Sequence, residues 1–282
     1  MILTQQQLAA WPPDEPPFTL SASRLDKMGG KFGNPEEGCE RKYTGEYCFD
    51  MRQSGSEATE RGTIIHGMAE HYQATGEVIN PESEEGVIFA AGMHLINIFG
   101  RLLVEHEHVG VLPNGVPFVA YLDGHSSRGD DTNCVAVRDL KTTSDPKWAL
   151  TTETLPKNVQ AMLYAWIIMC LPHWFCPPLA DGHFGPKHWQ WWDPEARRAK
   201  CVRLSWLYFL TKGNPRAWEA FKFVYPDQAM AYCKEVIEPL SEKMAAAHRW
   251  RLENPAASLS EVDRNPEACR SPRNTFGRWC GG

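Results

Sequence analysis

The stretch from Pro117 to Ser144, PFVAYLDGHSSRGDDTNCVAVRDLKTTS, constrains the fold of this chain more than any other. Two short apolar segments, Phe118–Leu122 and Cys134–Val137, each run into charge, and a loop rich in Ser, Gly, Asp and Asn separates them. That pattern predicts two strands, Pro117–His125 and Cys134–Thr142, that deliver Asp123 and Asp139 to one end of a sheet. Side chains alternate along a strand, so Asp139 and Lys141 share a face. Two carboxylates and a lysine on a buried hairpin suit metal-assisted hydrolysis. Hard oxygen ligands hold Mg²⁺, and an ammonium orients or activates a water. An ion pair at a solvated strand end gives the same pattern, and Asp-x-Lys alone is common. The rest of the chain has to decide between them.

Upstream, Leu103–Leu112 reads as a strand and Pro113-Asn114-Gly115 as a tight turn, because Asn-Gly tolerates positive φ. The hairpin thereby grows into a three-strand antiparallel meander. Downstream, Val202–Thr211 alternates cleanly, with Val202, Leu204, Trp206, Tyr208 and Leu210 on one face, and Ala217–Tyr225 is its hairpin partner. Helices are predicted at Glu57–Ala74, at Ser83–Leu103 and at Glu153–Leu171, each from an apolar stripe at helical spacing. A long helix over Asp227–Glu253 is expected to kink at Pro239. The fold class is therefore α/β, a central mixed sheet made of the meander and a further strand, flanked by helices.

His66 and Glu70 lie four apart beside the apolar stripe of the first helix; a histidine in such a place is commonly structural. Gln160 and Tyr164 sit four apart beside the stripe of Glu153–Leu171, and polar groups next to a buried face need partners, either within the protein or on a substrate. Arg24, Lys27, Lys31, Arg41 and Lys42 form a basic cluster that is either a solvated face or a set of phosphate contacts. Residues 172–200 carry four of the eleven tryptophans, Trp174, Trp189, Trp191 and Trp192, closed by Arg197, Arg198 and Lys200. A small satellite core explains them, and so does a stacking platform for single-stranded bases.

The 282 residues are 43% hydrophobic, enough for one sizeable core. A net charge of −6 excludes a broadly basic nucleic-acid coat but not a local basic groove. No apolar run is long enough to span a bilayer, and the first residues lack the pattern of a signal peptide. Nine cysteines, an odd number at irregular spacing, do not read as a disulfide framework. A reduced, cytoplasmic protein is expected.

The order of these pieces resembles the PD-(D/E)XK nuclease superfamily, in particular its RecB-type and phage-exonuclease branch. The pieces are LSASRL at Leu20–Leu25, CERKY at Cys39–Tyr43, RGTIIHGMAEHY at Arg61–Tyr72, YLDG at Tyr121–Gly124, RDLKTT at Arg138–Thr143 and QAMLY at Gln160–Tyr164. The resemblance spans roughly Leu20 to His248, and it divides the chain into a leader (1–17), a nuclease-like domain with a restriction-endonuclease-like core (18–253) and a cysteine-containing tail (254–282). It implies that Asp123, Asp139, His66 and the main-chain carbonyl of Leu140 hold Mg²⁺ or Mn²⁺, and that Lys141 is the motif lysine. Gln160, Tyr164, Arg24 and Arg41 would border a DNA substrate. The branch more often has Glu where this chain has Asp139; the shorter arm moves the metal by about one methylene and keeps the charge. An exonuclease acting in recombination or repair is the activity implied. An endonuclease of the same fold, or a non-catalytic module that binds DNA ends, carries the same motifs.

Some relatives also hold a [4Fe–4S] cluster, with one cysteine before the core and three closely spaced near the C-terminus. Here Cys39 takes the first position, but the tail offers only Cys269 and Cys280, leaving Cys48 as a fourth thiolate. Free thiols are the alternative.

Overall fold

In a computed structural model the chain is described over residues 20–33, 40–51, 55–97, 102–126, 134–170 and 200–258. Five strands form one sheet in the order β1 (Leu103–Val111), β2 (Pro117–His125), β3 (Cys134–Thr143), β4 (Cys201–Leu210) and β5 (Ala217–Val224). Pairing is antiparallel for β1–β2, β2–β3 and β4–β5, and parallel for β3–β4. The expected meander and mixed sheet are present. The turn at Asn114-Gly115 is closed by Leu112 and Val116, with Gly115 at φ 91°.

Both faces of the sheet are covered, and the alternation of side chains assigns each residue to one of them. On one side, Val135 and Val137 of β3 and Val202, Leu204, Trp206 and Tyr208 of β4 pack under α5 (Val159–Cys170) in the larger core. The short helices α1 (Ala22–Gly29) and α2 (Glu40–Cys48) and the long α7 (Glu238–Glu253) close over the same core. On the other side, Leu140, Leu207 and Phe209 meet Ile65 and Met68 of α3 (Glu57–Thr75) and Ile88 and Phe89 of α4 (Glu84–Ile96). Helix α3 starts where Ser56 accepts the amide of Thr59 and ends at Gly76, whose φ of 78° terminates it.

Three boundaries differ from those predicted, each for a tertiary or capping reason. Helix α4 stops at Ile96 rather than running on to Leu103. Arg138, buried in β3, reaches up and donates to the carbonyls of Leu95 and Ile96, so the stop signal comes from another strand. Helix α5 starts at Val159, not Glu153: Asn158 Oδ1 caps the amide of Ala161 at 3.0 Å, and Leu155–Lys157 forms a 3₁₀ turn around Pro156. The expected kink at Pro239 takes another form. Helix α6 (Pro226–Tyr232) passes through a π turn at Cys233–Ile237 into α7, and Pro239 sits in the first turn after it, where a missing N–H costs least.

One disulfide, Cys134–Cys201, joins paired positions of the parallel strands β3 and β4, with a Cα–Cα distance of 4.7 Å. This corrects the expectation of a fully reduced chain. The two residues lie 67 apart in sequence, so spacing alone does not reveal a bond that strand register creates. Among the described residues no helix is long and apolar enough to cross a membrane.

Candidate active site

Strands β2 and β3 pair at Gly124–Arg138 and His125–Val137 and then part. Parting leaves backbone groups without ladder partners, and buried backbone groups need replacements. The carboxylate of Asp123 supplies one, with Oδ2 accepting the amide of Leu140 at 2.7 Å. The Leu140 carbonyl accepts from His66 Nε2 at 2.9 Å. On β2 the Tyr121 carbonyl accepts the Tyr164 hydroxyl at 2.8 Å, while Leu20 bridges Pro117 and Val119. The gap between the strands is therefore lined by Asp123, Asp139, the Leu140 peptide and His66.

Asp139 is fully buried. Its Oδ1 accepts Gln160 Nε2 at 2.9 Å, and the same amide nitrogen donates to Tyr164 Oη at 2.9 Å. Its Oδ2 is paired with Lys141 Nζ at 2.6 Å and takes no further hydrogen bond, so a fully buried oxygen retains acceptor capacity for a second partner. Burial first, and then the charge of Asp123, push the Asp139 carboxyl up to about 7, against the pull of Lys141. Burial disfavours the Lys141 ammonium, but Asp139 and Asp123 outweigh it and the net shift is upward. The two carboxylates repel each other across the gap, and a cation relieves that repulsion.

The other ring nitrogen of His66, Nδ1, lies 3.6 Å from Asp123 Oδ2, too far for a hydrogen bond. The donors are hard oxygens plus one imidazole, with a spare buried carboxylate oxygen, and this set fits a small divalent cation. Among the described residues no three His, Cys, Asp or Glu side chains already converge as a closed ligand shell. A cation there would draw Asp139 away from Lys141.

Of the residues proposed from sequence, the structure brings together His66, Asp123, Asp139, Leu140, Lys141, Gln160 and Tyr164. Gln160 and Tyr164, expected at the substrate, direct their polar groups to Asp139 and to the Tyr121 carbonyl instead. Arg24 sits with its guanidinium over the Tyr47 ring at 5.1 Å, in the contact between α1 and α2. The side chain of Arg41 lies outside the described residues, as do Cys39, Cys269, Cys280 and the tryptophans of the 172–200 segment. Cys48 is a half-buried thiol raised to about 11, chiefly by burial, so it is protonated at neutral pH.

Two neighbours of the site went unrecognised in the sequence. Asp26 on α1 is shifted upward by burial and lies in the fields of Lys31, Lys27 and Lys141. The signal was a single acid inside the basic SRLDKMGGK stretch. Gln73 lies one turn beyond Glu70 on α3. With His66, Glu70, Asp123 and Arg138 it lines a small cleft beside the gap, and its buried Oε1 has no hydrogen-bond partner. Helical spacing from His66 would have found it.

No family model and no curated protein matches the chain. Among solved structures it is similar to a protein from Eubacterium rectale described as a candidate exonuclease. That likeness has a TM-score of 0.47 and 13% identity over 92% of this chain and 89% of that one. It is also similar to the protein SSO0001, with a TM-score of 0.40 and 10% identity over 83% of each chain. Likenesses this distant leave the chemistry to be argued from the chain's own residues.

Proposed function

We infer that this chain is a metal-dependent deoxyribonuclease that hydrolyses phosphodiester bonds, acting as an exonuclease. The observation that carries the reading is the gap between β2 and β3. It gathers two carboxylates, a backbone carbonyl, an imidazole and an ammonium, and one carboxylate oxygen in it is buried with acceptor capacity to spare.

Asp123, Asp139, the Leu140 carbonyl and His66 would hold Mg²⁺ or Mn²⁺. When bound, such an ion polarises a phosphoryl oxygen and makes a water acidic enough to attack it. Gln160 fixes the orientation of Asp139, and Tyr164 fixes Gln160. Asp123 is held by the Leu140 amide, so its second oxygen points in a set direction. Lys141 is partly exposed and stands on the face of Asp139. Its ammonium can accept the charge that builds on the phosphate and position the attacking water. The restriction to DNA ends rests on the resemblance to the phage-exonuclease branch.

The test uses end-labelled linear DNA and closed circular DNA with Mg²⁺. Release of mononucleotides or short oligonucleotides from the linear form, with the circle left intact, is expected. Nicking of the circle would make the enzyme an endonuclease. Absence of metal-dependent cleavage of either DNA would refute the assignment.

A further inference from the structure

Trp148 is 62% exposed, the most exposed large hydrophobic side chain among the described residues. A single exposed aromatic is ordinary on a protein surface. This one differs in how firmly it is held and in what it adjoins. It ends the 3₁₀ turn Pro146–Trp148, on the connection between Lys141 at the end of β3 and Gln160 on α5. Its amide donates to the Asp145 carbonyl at 3.1 Å, and its carbonyl accepts Lys31 Nζ at 3.2 Å. Two residues on, the Leu150 amide donates to Tyr208 Oη at 2.9 Å. The Lys31 carbonyl in turn accepts from Val159 N and Asn158 Nδ2, both at 3.0 Å, where α5 begins. The backbone that carries the indole is thus anchored, and the ring is open to solvent.

Two lysines adjoin this segment. Lys147 Nζ lies 5.2 Å from the ring centroid, and it also pairs with Asp145 at 2.9 Å. The hydrogen bond of Lys31 is to a neutral carbonyl, so its charge is not cancelled there. Tyr208, which holds the Leu150 amide, stands in register with Lys141 across β3 and β4, which ties this rim to the site.

A flat, exposed ring on an anchored backbone, with one ammonium over the ring and another at its carbonyl, offers one surface for an unpaired base and another for its phosphate. In a duplex the base faces are already stacked and only the terminal pair is open. We propose that Trp148, with Lys31 and Lys147, is a stacking rim that receives single-stranded DNA next to the strand gap. The proposal rests on the nuclease reading for what happens to that strand, but not for its binding.

The test is binding of a fluorescent oligothymidylate, followed by anisotropy in EDTA, with every protein carrying Asp139→Asn. Trp148→Ala should weaken the oligothymidylate by about tenfold, and Trp148→Phe should restore most of it. A blunt hairpin duplex should change by less than about twofold. Should Trp148→Ala fail to fold, Trp148→His, which keeps a flat ring, is compared with Trp148→Met, which keeps bulk without one. Affinity indifferent to Trp148, or an equal loss for oligothymidylate and duplex, overturns the proposal. Trp148-dependent binding by a protein whose wild type cleaves no DNA would remove the nuclease reading and leave the rim standing. Cleavage with binding indifferent to Trp148 would do the reverse.

Discussion

Replacing Asp139 by Asn should stabilise the metal-free protein while removing its proposed activity. Asp139 is fully buried, and its carboxyl is raised from 3.8 to about 7. Ionising it in the folded state therefore costs up to about 4 kcal/mol of stability above neutral pH. The sign follows from the upward shift. The folded state binds the proton more tightly than the unfolded chain. Stability is then complete below the unfolded value near 3.8 and is lost as pH rises through about 7. Asn removes that loss, keeps an oxygen for Gln160 Nε2, and gives up the ion pair with Lys141. The Lys141 side chain is 36% exposed and still faces Asp123, so the forfeited attraction is discounted to about 1–2 kcal/mol. A net gain of about 2–3 kcal/mol is expected near pH 8 in EDTA, shrinking to nothing near pH 4. Urea titrations of both proteins across that range measure it. Adding Mg²⁺ should stabilise the wild type and leave the variant almost unmoved. A variant less stable than wild type near pH 8, or a gap that does not narrow toward pH 4, would refute the electrostatic account of the site.

Lys141→Ala should lower DNA cleavage by about a hundredfold or more while circular dichroism shows a retained fold; cleavage within a few-fold of wild type would remove the lysine from the chemistry. Arg138→Met should destabilise by about 3–5 kcal/mol, because it leaves Glu219 in a half-dry environment and uncaps α4. Thermal melts read that loss, and a change under about 1 kcal/mol would contradict the capping role. Cys134→Ser should cost about 2–4 kcal/mol more under oxidising conditions than under strong reductant. Thiol alkylation with mass analysis checks that the bond is present in the wild type.

How far the sequence could be read depended on where each signal lay. Asp139 and Lys141 were legible because strand period is a local property: two residues apart means one face, and the structure puts their charges 2.6 Å apart. The end of α4 was not legible, because the group that stops it, Arg138, is more than 40 residues downstream. Asn97 and Gly100 are ordinary stop residues, but neither fixes the last turn at Ile96 by itself. The same limit hid the Cys134–Cys201 bond, which exists only through the parallel register of β3 and β4. Gln160 and Tyr164 were found as polar residues beside a buried stripe, but their partners could not be. One hydroxyl reaches a main-chain carbonyl on β2, a pairing that no side-chain pattern encodes.

That last contact bears on why the site is where it is. An antiparallel pair that stayed zipped along β2 and β3 would satisfy the Leu140 peptide and the Tyr121 carbonyl with ladder bonds, and Asp123 would be a surface carboxylate. β3 stays paired with β4 along its whole length, while β2 leaves the other edge of β3 beyond Gly124 and each orphaned group takes a side-chain partner. Those partners are residues that the proposed chemistry uses: Asp123 on the amide, His66 on the carbonyl, and Tyr164 behind Gln160 and Asp139. The same bonds that repair the broken ladder fix the directions of the candidate metal ligands. Substituting any of them therefore acts twice, on the local fold and on the geometry of the site. Asp139 is the exception: its Oδ2 repairs nothing in the backbone. It is accordingly the position where loss of function and gain of stability should separate most cleanly.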